Sequence, residues 1–413
     1  MEPVAGPGPD TDRRSRLGLE WLLPDRGETA FLHEVLGKTE LFVPGQDGKF
    51  ASILEWSKVN FLMMHGRVGT HVLLQSRTEA GHQDTSTIDV SSAGHGLVHV
   101  QQQLRTGATL VIDKLDEVEP DVSRCCRDLE RLLQVPVKAT AFASTVAGAG
   151  GRHPLARDTV IAQVSGMQHL KVFDIATRNS VGSGDDATVP ARWTGVVDAG
   201  DAIYIPRGWI YESSAPDGAS LHIAFHFASP SGLDLATRVI NLLRDSEFMQ
   251  MDVPRFAPPE VQAVYLAQFQ HEMREALFSP GLLLGVLNDV HATADVLPFA
   301  GLPWTGFENA DISDDCTITA LIRFDSVVEH LIDEDALEVC CGAKRFKFPS
   351  SAERLISYLL EGATRSVKGT IDRFGAEFPV DAIRGFLSDC VKHGLIGVHY
   401  PQGKQHGRRP ACG

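Results

Sequence analysis

Three histidines, a tyrosine and a glutamine have side chains that could do chemistry. His153 lies in Gly151-Arg-His-Pro-Leu-Ala-Arg-Asp158, and Gln168 in Gln163-Val-Ser-Gly-Met-Gln-His-Leu-Lys-Val-Phe173. Tyr211 ends the run Asp198-Ala-Gly-Asp-Ala-Ile-Tyr-Ile-Pro-Arg-Gly-Trp-Ile-Tyr211. His222 and His226 sit in a stretch where Leu221, Ile223, Phe225 and Phe227 alternate with His222, Ala224 and His226. A period of two is that of a strand, so both histidines share one face. Imidazole is the commonest nitrogen ligand for zinc or copper, and His153, His222 and His226 could together hold such an ion. The plainer reading makes His153 a polar lining residue and the other two satisfied core histidines. Tyr211 carries a phenol with a pKa of about 10, neutral at ordinary pH.

The elements that must position these residues are short strands. Thr109 to Ile112 reads as a buried strand and Pro120 to Leu133 as a helix with Val122, Cys126, Leu129 and Leu133 on one stripe. Glu28 to Gly37 reads as a helix stopped by its glycine. From Val137 onward, strands are divided by Gly, Pro and Asp. Thr159 to Val164 and His169 to Phe173 flank Ser165-Gly166, which predicts a hairpin. Arg192 to Val197 and Ala202 to Ile205 flank the turn Asp198 to Asp201. Many closely spaced strands predict a barrel or double-sheet jelly roll. After Pro230 the pattern turns helical, with Leu233 to Phe248 and Pro259 to Phe278 amphipathic. Beyond Asp311 a capping box, Ser350 and Glu353, precedes a helix to Leu360. Pro379 suits the first turn of a helix to His393, Gly394 ends it, and Leu395 to Tyr400 reads as a strand. That order is the outline of a winged helix.

Composition removes several function classes. The chain has 413 residues and a formal net charge of -15, which opposes non-specific nucleic-acid binding. No apolar run approaches the roughly 20 residues that span a bilayer. Met1 to Arg16 is rich in Pro, Gly, Asp and Arg, has no apolar stretch of signal-peptide kind, and reads as a disordered leader of a cytoplasmic protein. The 7 cysteines include no CxxC pair and read as reduced structural thiols.

The motif runs resemble the JmjC, cupin-like family of 2-oxoglutarate oxygenases, in its ribosomal-oxygenase-like branch. Asp198 to Tyr211 is similar to GD-x-LY-[LF]-PRG-x-x-H. Gln163 to Phe173 is similar to LQ-x-EG-x-K-x-W-x-[LV]-[YF], Gly151 to Asp158 to G-x-H-x-D-D-x-[DE], and Ser220 to Ala224 to SxHLT. Thr109 to Asp113 resembles the family's GxTLVL strand. The resemblance implies an α+β protein: a JmjC/cupin double-stranded β-helix barrel, a helical dimerisation segment and a winged-helix-like C-terminal domain. The implied boundaries are a leader over 1–16, the barrel with a helical N-terminal region over 17–230, the dimerisation segment over 231–310, the winged-helix-like domain over 311–402 and a tail over 403–413.

The resemblance also implies where Fe(II) and 2-oxoglutarate would bind, and those positions have changed. A His, a carboxylate two residues on and a distal His make the family's metal triad. The first matches His153, the second falls on Leu155 and the third on Tyr211. Asp158 matches an acidic position that is not a ligand. The lysine that pairs with 2-oxoglutarate falls on Gln168, the N-x-Y pair on Thr140 and Phe142, and a tryptophan on Leu170. The resulting expectation is a pseudo-oxygenase with no cofactor, a homodimer that binds a protein or peptide along a groove of Tyr211, Arg207 and Glu212. The alternative is an active oxygenase using Fe(II) and 2-oxoglutarate through an unusual set drawn from His153, His222, His226 and Tyr211. A third reading is a regulator acting through the winged-helix-like part.

Overall fold

The computed structural model describes residues 17–24, 27–65, 72–77, 83–88, 95–145, 152–174, 190–214, 218–292, 312–321, 328–331, 335–341, 344–360 and 364–400. The expected leader and tail lie outside these residues. The chain divides into two compact units, Met1–Ser229 and Pro230–Gly413. Among the described residues no helix is long and apolar enough to cross a membrane.

The first unit contains β1 (Leu41–Val43), β2 (Val72–Arg77), β3 (Gln83–Ile88), β4 (Thr109–Ile112), β5 (Val137–Ser144), β6 (Arg152–Pro154), β7 (Asp158–Ser165), β8 (Met167–Phe173), β9 (Trp193–Asp198), β10 (Ala202–Ile205), β11 (Ile210–Ser214) and β12 (Ser220–Phe227). They form an eight-stranded sheet in the order β1-β10-β7-β12-β5-β4-β2-β3 and a four-stranded sheet in the order β6-β11-β8-β9. The pairings within both sheets are antiparallel. An apolar cluster joins the two sheets: Ile161, Ile203 and Ile205 from the large one meet Leu170, Val172, Val197 and Tyr211 from the small one. This is the double-stranded β-helix of a cupin barrel, and its inner faces meet at that cluster.

Alternation sends the neighbouring residues outward. Phe225 and Phe227 are fully buried on the other face of β12, where Tyr204 stacks with Phe227 and meets Phe31 edge-on at 5.1 Å. Phe31 belongs to a helical stretch that begins at Glu28 and widens to a π-helix over Phe31–Val35. The helix Pro120–Leu133 buries Val122, Cys125, Cys126 and Leu129. Its Glu130 carboxylate accepts the Val137 amide at 3.0 Å, and Asp116 accepts that of Ala139 at 3.0 Å, which ties this helical layer to β5.

The Ser165-Gly166 bend is not the turn of a hairpin. β7 pairs with β10 and β12, whereas β8 pairs with β9 and β11. The bend therefore carries the chain from one sheet to the other. Gly166 has φ +68°, and a Cβ there would stand 2.1 Å from the Ala219 carbonyl oxygen. The second bend, Asp198 to Asp201, is held by the Asp201 carboxylate, which accepts the amides of Asp198 and Gly45 at 2.9 and 2.8 Å.

In the second unit Ser231 and Asp234 form a capping box for the helix Gly232–Leu243. This helix ends earlier than its apolar spacing predicts, and Phe248–Gln250 forms a separate 3-10 turn. The helices Pro259–Leu277 and Leu282–Ala292 follow. The C-terminal part contains β13 (Thr317–Ala320), β14 (Val328–Leu331), β15 (Ala336–Cys341), β16 (Lys344–Pro349), β17 (Arg365–Ser366) and β18 (Ile396–His399), in the sheets β17-β13-β18 and β14-β15-β16. The helices Glu353–Leu360, Val367–Phe374 and Val380–Lys392 share a core that includes Leu355, Leu359, Phe374, Ile383 and Leu387. Ser350 does not cap the first of these. It begins the 3-10 turn Ser350–Ala352, which leads into the helix. Pro379 is the N-cap of the third helix rather than part of its first turn.

Candidate functional site

The inner face of the barrel gathers most of the residues singled out in the sequence. β12 supplies His222, Ala224 and His226. Opposite them on β5 stand Phe142, Thr140 and Lys138, and on β7 Gln163, Ile161 and Thr159. In the small sheet, β6 and β11 place His153 directly across from Tyr211. Their rings stack with centroids 4.9 Å apart and planes at 23°.

Each position has a defined environment. Leu155 is 9% exposed and belongs to the apolar cluster with Leu170, Trp209 and Tyr211. Tyr211 is 7% exposed, and burial pushes its phenol up to about 12, so it stays neutral. The His222 ring stacks on Phe142 at 4.9 Å, and its buried Nε2 has no hydrogen-bond partner. Burial first, then the neighbouring imidazoles of His153 and His226, lower its pKa to about 3. His226 Nδ1 is 3.1 Å from Thr159 Oγ1, and burial, with Arg157 nearby, lowers its pKa to about 4. Both rings are therefore neutral at ordinary pH.

The other positions are engaged with the protein itself. Gln168 donates to Gln163 Oε1 at 2.6 Å, and Gln163 donates to Ser220 Oγ and to the Ser165 carbonyl, each at 2.9 Å. Thr140 donates to Asp113 at 3.1 Å. Asp158 accepts from the Tyr204 hydroxyl at 2.6 Å and the Arg207 amide at 3.3 Å, so it braces the turn that follows β10. Arg207 donates its Nη1 to the Ser229 carbonyl at 2.7 Å, which ties its guanidinium to the chain after β12. Glu212 lies on β11 across from Lys171.

A divalent iron ion does not fit this donor set. Its facial triad calls for a carboxylate, and the position two residues after His153 is a leucine inside an apolar cluster. His222 and His226 lie four residues apart on one strand, about 13 Å along it, too far to share an ion. Among the described residues no three His, Cys, Asp or Glu side chains form a metal-holding group. For 2-oxoglutarate the matched positions offer a glutamine already bonded to a glutamine, a threonine bonded to Asp113 and a phenylalanine under His222. None carries the cation that strengthens a carboxylate contact.

The sequence reading missed Gln163, which is fully buried and links the Gln168 position to Ser220 on β12. Its place in alternation with Ile161 and Thr159 was the available signal. It also missed Asp113 as the partner of Thr140.

The two facing sheets and the motif runs that build them agree with the family comparison: residues 115–235 match the family model of the JmjC domain. Across most of its length the chain has the fold of YcfD, a ribosomal oxygenase from Escherichia coli. The likeness is 16% in sequence identity with a TM-score of 0.62, over 90% of this chain and 98% of that one. The same protein in complex with cobalt and 2-oxoglutarate matches with TM-score 0.62 and 16% identity over 91% and 99% of the two chains. In complex with cobalt and succinic acid it matches with TM-score 0.63 and 15% identity over the same shares. No curated protein matches the sequence.

Proposed function

We propose that this protein is a pseudo-oxygenase: a JmjC barrel that binds a protein or peptide partner and no longer activates oxygen through iron. The supporting observation is Leu155. The position that resembles the family's anionic ligand is filled by an aliphatic side chain packed between the two sheets. Neutral His222 and neutral Tyr211 add no charge to offset a divalent ion. The rim formed by His153 and Tyr211, with Glu212 beside them, is where a partner side chain would approach. The reading includes a cytoplasmic homodimer joined through residues 231–310.

Two measurements test it. Plasma emission on protein purified without chelator should find no stoichiometric iron, and calorimetry should find no micromolar binding of 2-oxoglutarate. Near-stoichiometric iron that disappears in His153→Ala overturns the reading in favour of an oxygenase with a non-standard ligand set. A photo-crosslinking residue at Glu212 should label one polypeptide in cells, with labelling lost in Tyr211→Ala. Absence of any polypeptide adduct overturns the binding role.

A further inference from the structure

We propose that the C-terminal part of the second unit holds a binding site for a single oxyanion, a phosphate monoester or a carboxylate, centred on Arg373. This site is independent of the barrel. A cavity of about 400 Å³ is lined by Glu353, Arg354, Ser357, Tyr358, Arg373 and Phe374. That volume lies within the range of small-molecule pockets, about 300–1,000 Å³.

Aromatic contacts hold Arg373 in place without using its donors. Its guanidinium carbon lies 4.7 Å from the centroid of Tyr358 and 5.8 Å from that of Phe374. The two rings meet edge-on at 5.4 Å, which gives the group a rigid support. Attraction between a guanidinium and a ring face orients the group while its N–H bonds point elsewhere. Among the described residues Arg373 makes no ion pair or hydrogen bond, whereas Arg345, Arg354 and Arg384 each hold a carboxylate, of Glu338, Glu377 and Asp314. The hydroxyls of Ser357 and Tyr358 likewise have no protein partner among those residues. Three kinds of unused donor thus line one cavity, and a planar guanidinium matches the paired oxygens of a carboxylate or phosphate.

Charge balance selects an anion. Arg354 and Glu377 offset one another. Of the two arginines that line the cavity, Arg373 is the one whose guanidinium no carboxylate holds among the described residues. A guanidinium whose donors are unused suits a small anionic group. The chain's net charge of -15 disfavours an extended polyanion such as nucleic acid.

The test follows the side-chain Nε signal of Arg373 by NMR in the full-length chain, assigned by its loss in Arg373→Lys. Inorganic phosphate, phenyl phosphate and acetate are titrated separately at low ionic strength. A saturable shift with the phosphates alone identifies a phosphate ester, and with acetate alone a carboxylate. Arg373→Ala should weaken binding about tenfold or more, and Ser357→Ala by a smaller factor, because a charge-assisted bond exceeds a neutral one. Both side chains are exposed, so both variants should melt within a few degrees of the parent. No saturable shift with any probe, or binding unchanged in Arg373→Ala, overturns the site.

Discussion

Leu155 and His222 leave two inner positions of the barrel without charge, one by its aliphatic side chain and one by burial of its ring. Leu155 is packed in an apolar cluster, so an aspartate there would place a carboxylate among apolar side chains. Leu155→Asp should cost about 2–4 kcal/mol, read from denaturant midpoints, because an unpaired buried charge is among the costliest point changes. Adding Tyr211→His supplies a second imidazole across from His153. The double variant should then bind Co(II) in calorimetry, while the parent should not. Failure of the double variant to bind would show that more than these two positions separates the site from a working triad. His222 makes a separate prediction about acid. Its folded pKa of about 3 is depressed from 6.5, so the unfolded chain takes up the proton first as pH falls. Its contribution is therefore complete above pH 6.5 and is lost progressively down to about pH 3. His222→Phe, which can still stack on Phe142, should flatten the fall of stability across that window by up to about 1.4 kcal/mol per pH unit. An unchanged slope would mean that His222 is already charged, or already exposed, in the folded state.

The elements are held by bends whose geometry excludes other residues. Gly200 has φ +96°, and a Cβ there would stand 2.0 Å from the Gln46 carbonyl oxygen. Gly37 also has positive φ, at +69°, but nothing lies within 4 Å of its added Cβ. Gly200→Ala should therefore destabilise the first unit by more than about 2 kcal/mol and Gly37→Ala by about 1 kcal/mol, a contrast measurable by urea unfolding. Equal costs would mean that backbone conformation alone matters at both sites. These bends also mark what the sequence could convey. The Asp-Ala-Gly-Asp turn and the strand after it were legible, because turn residues and a run of small and β-branched residues are local signals. The period of two in β12 correctly separated His222 and His226 from Phe225 and Phe227. The partners of each strand were not legible. Ser165-Gly166 has the local chemistry of a hairpin turn, but β7 and β8 find their hydrogen bonds in different sheets, and only the closed barrel decides that. The same limit hid Gln163. Its partners, Gln168 and Ser220, come from β8 and β12, and Ser220 is 57 residues away along the chain. At the helix ends, spacing of apolar residues does not distinguish an α-turn from a 3-10 turn, which explains the shorter helix at Leu243 and the start at Glu353.

For the whole molecule the main imbalance is between apolar surface and core in the helical segment. Among the described residues its own core is small: Val239, Leu243 and Ala276, with Met249, Met273 and Leu282 against them. Outside it, Leu233 is 76% exposed, Ile240 61%, Val264 70% and Phe256 89%. Apolar surface gathered on one segment marks an interface more often than a solvated face. A second copy of this chain is the occupant we propose, because a two-fold contact lets one self-complementary patch cover itself. The net charge of -15 makes two copies repel at long range, so the contact must draw its free energy from apolar burial rather than from ion pairs. A stable contact needs about 1,000 Å² or more of buried surface. Several exposed aliphatic and aromatic side chains from each copy can provide it. Val261 and Val264 lie one helical turn apart on Pro259–Leu277 and are both exposed. Val261→Glu combined with Val264→Glu would place four carboxylates at a two-fold contact, two from each copy. The double variant should halve the mass found by light scattering at micromolar concentration, with helical content by circular dichroism unchanged. Exposed positions away from any contact would tolerate both changes with no effect on mass. A parent protein that is already monomeric at that concentration, or a double variant that remains dimeric, would place the apolar face outside the self-contact and remove the homodimer from the proposal.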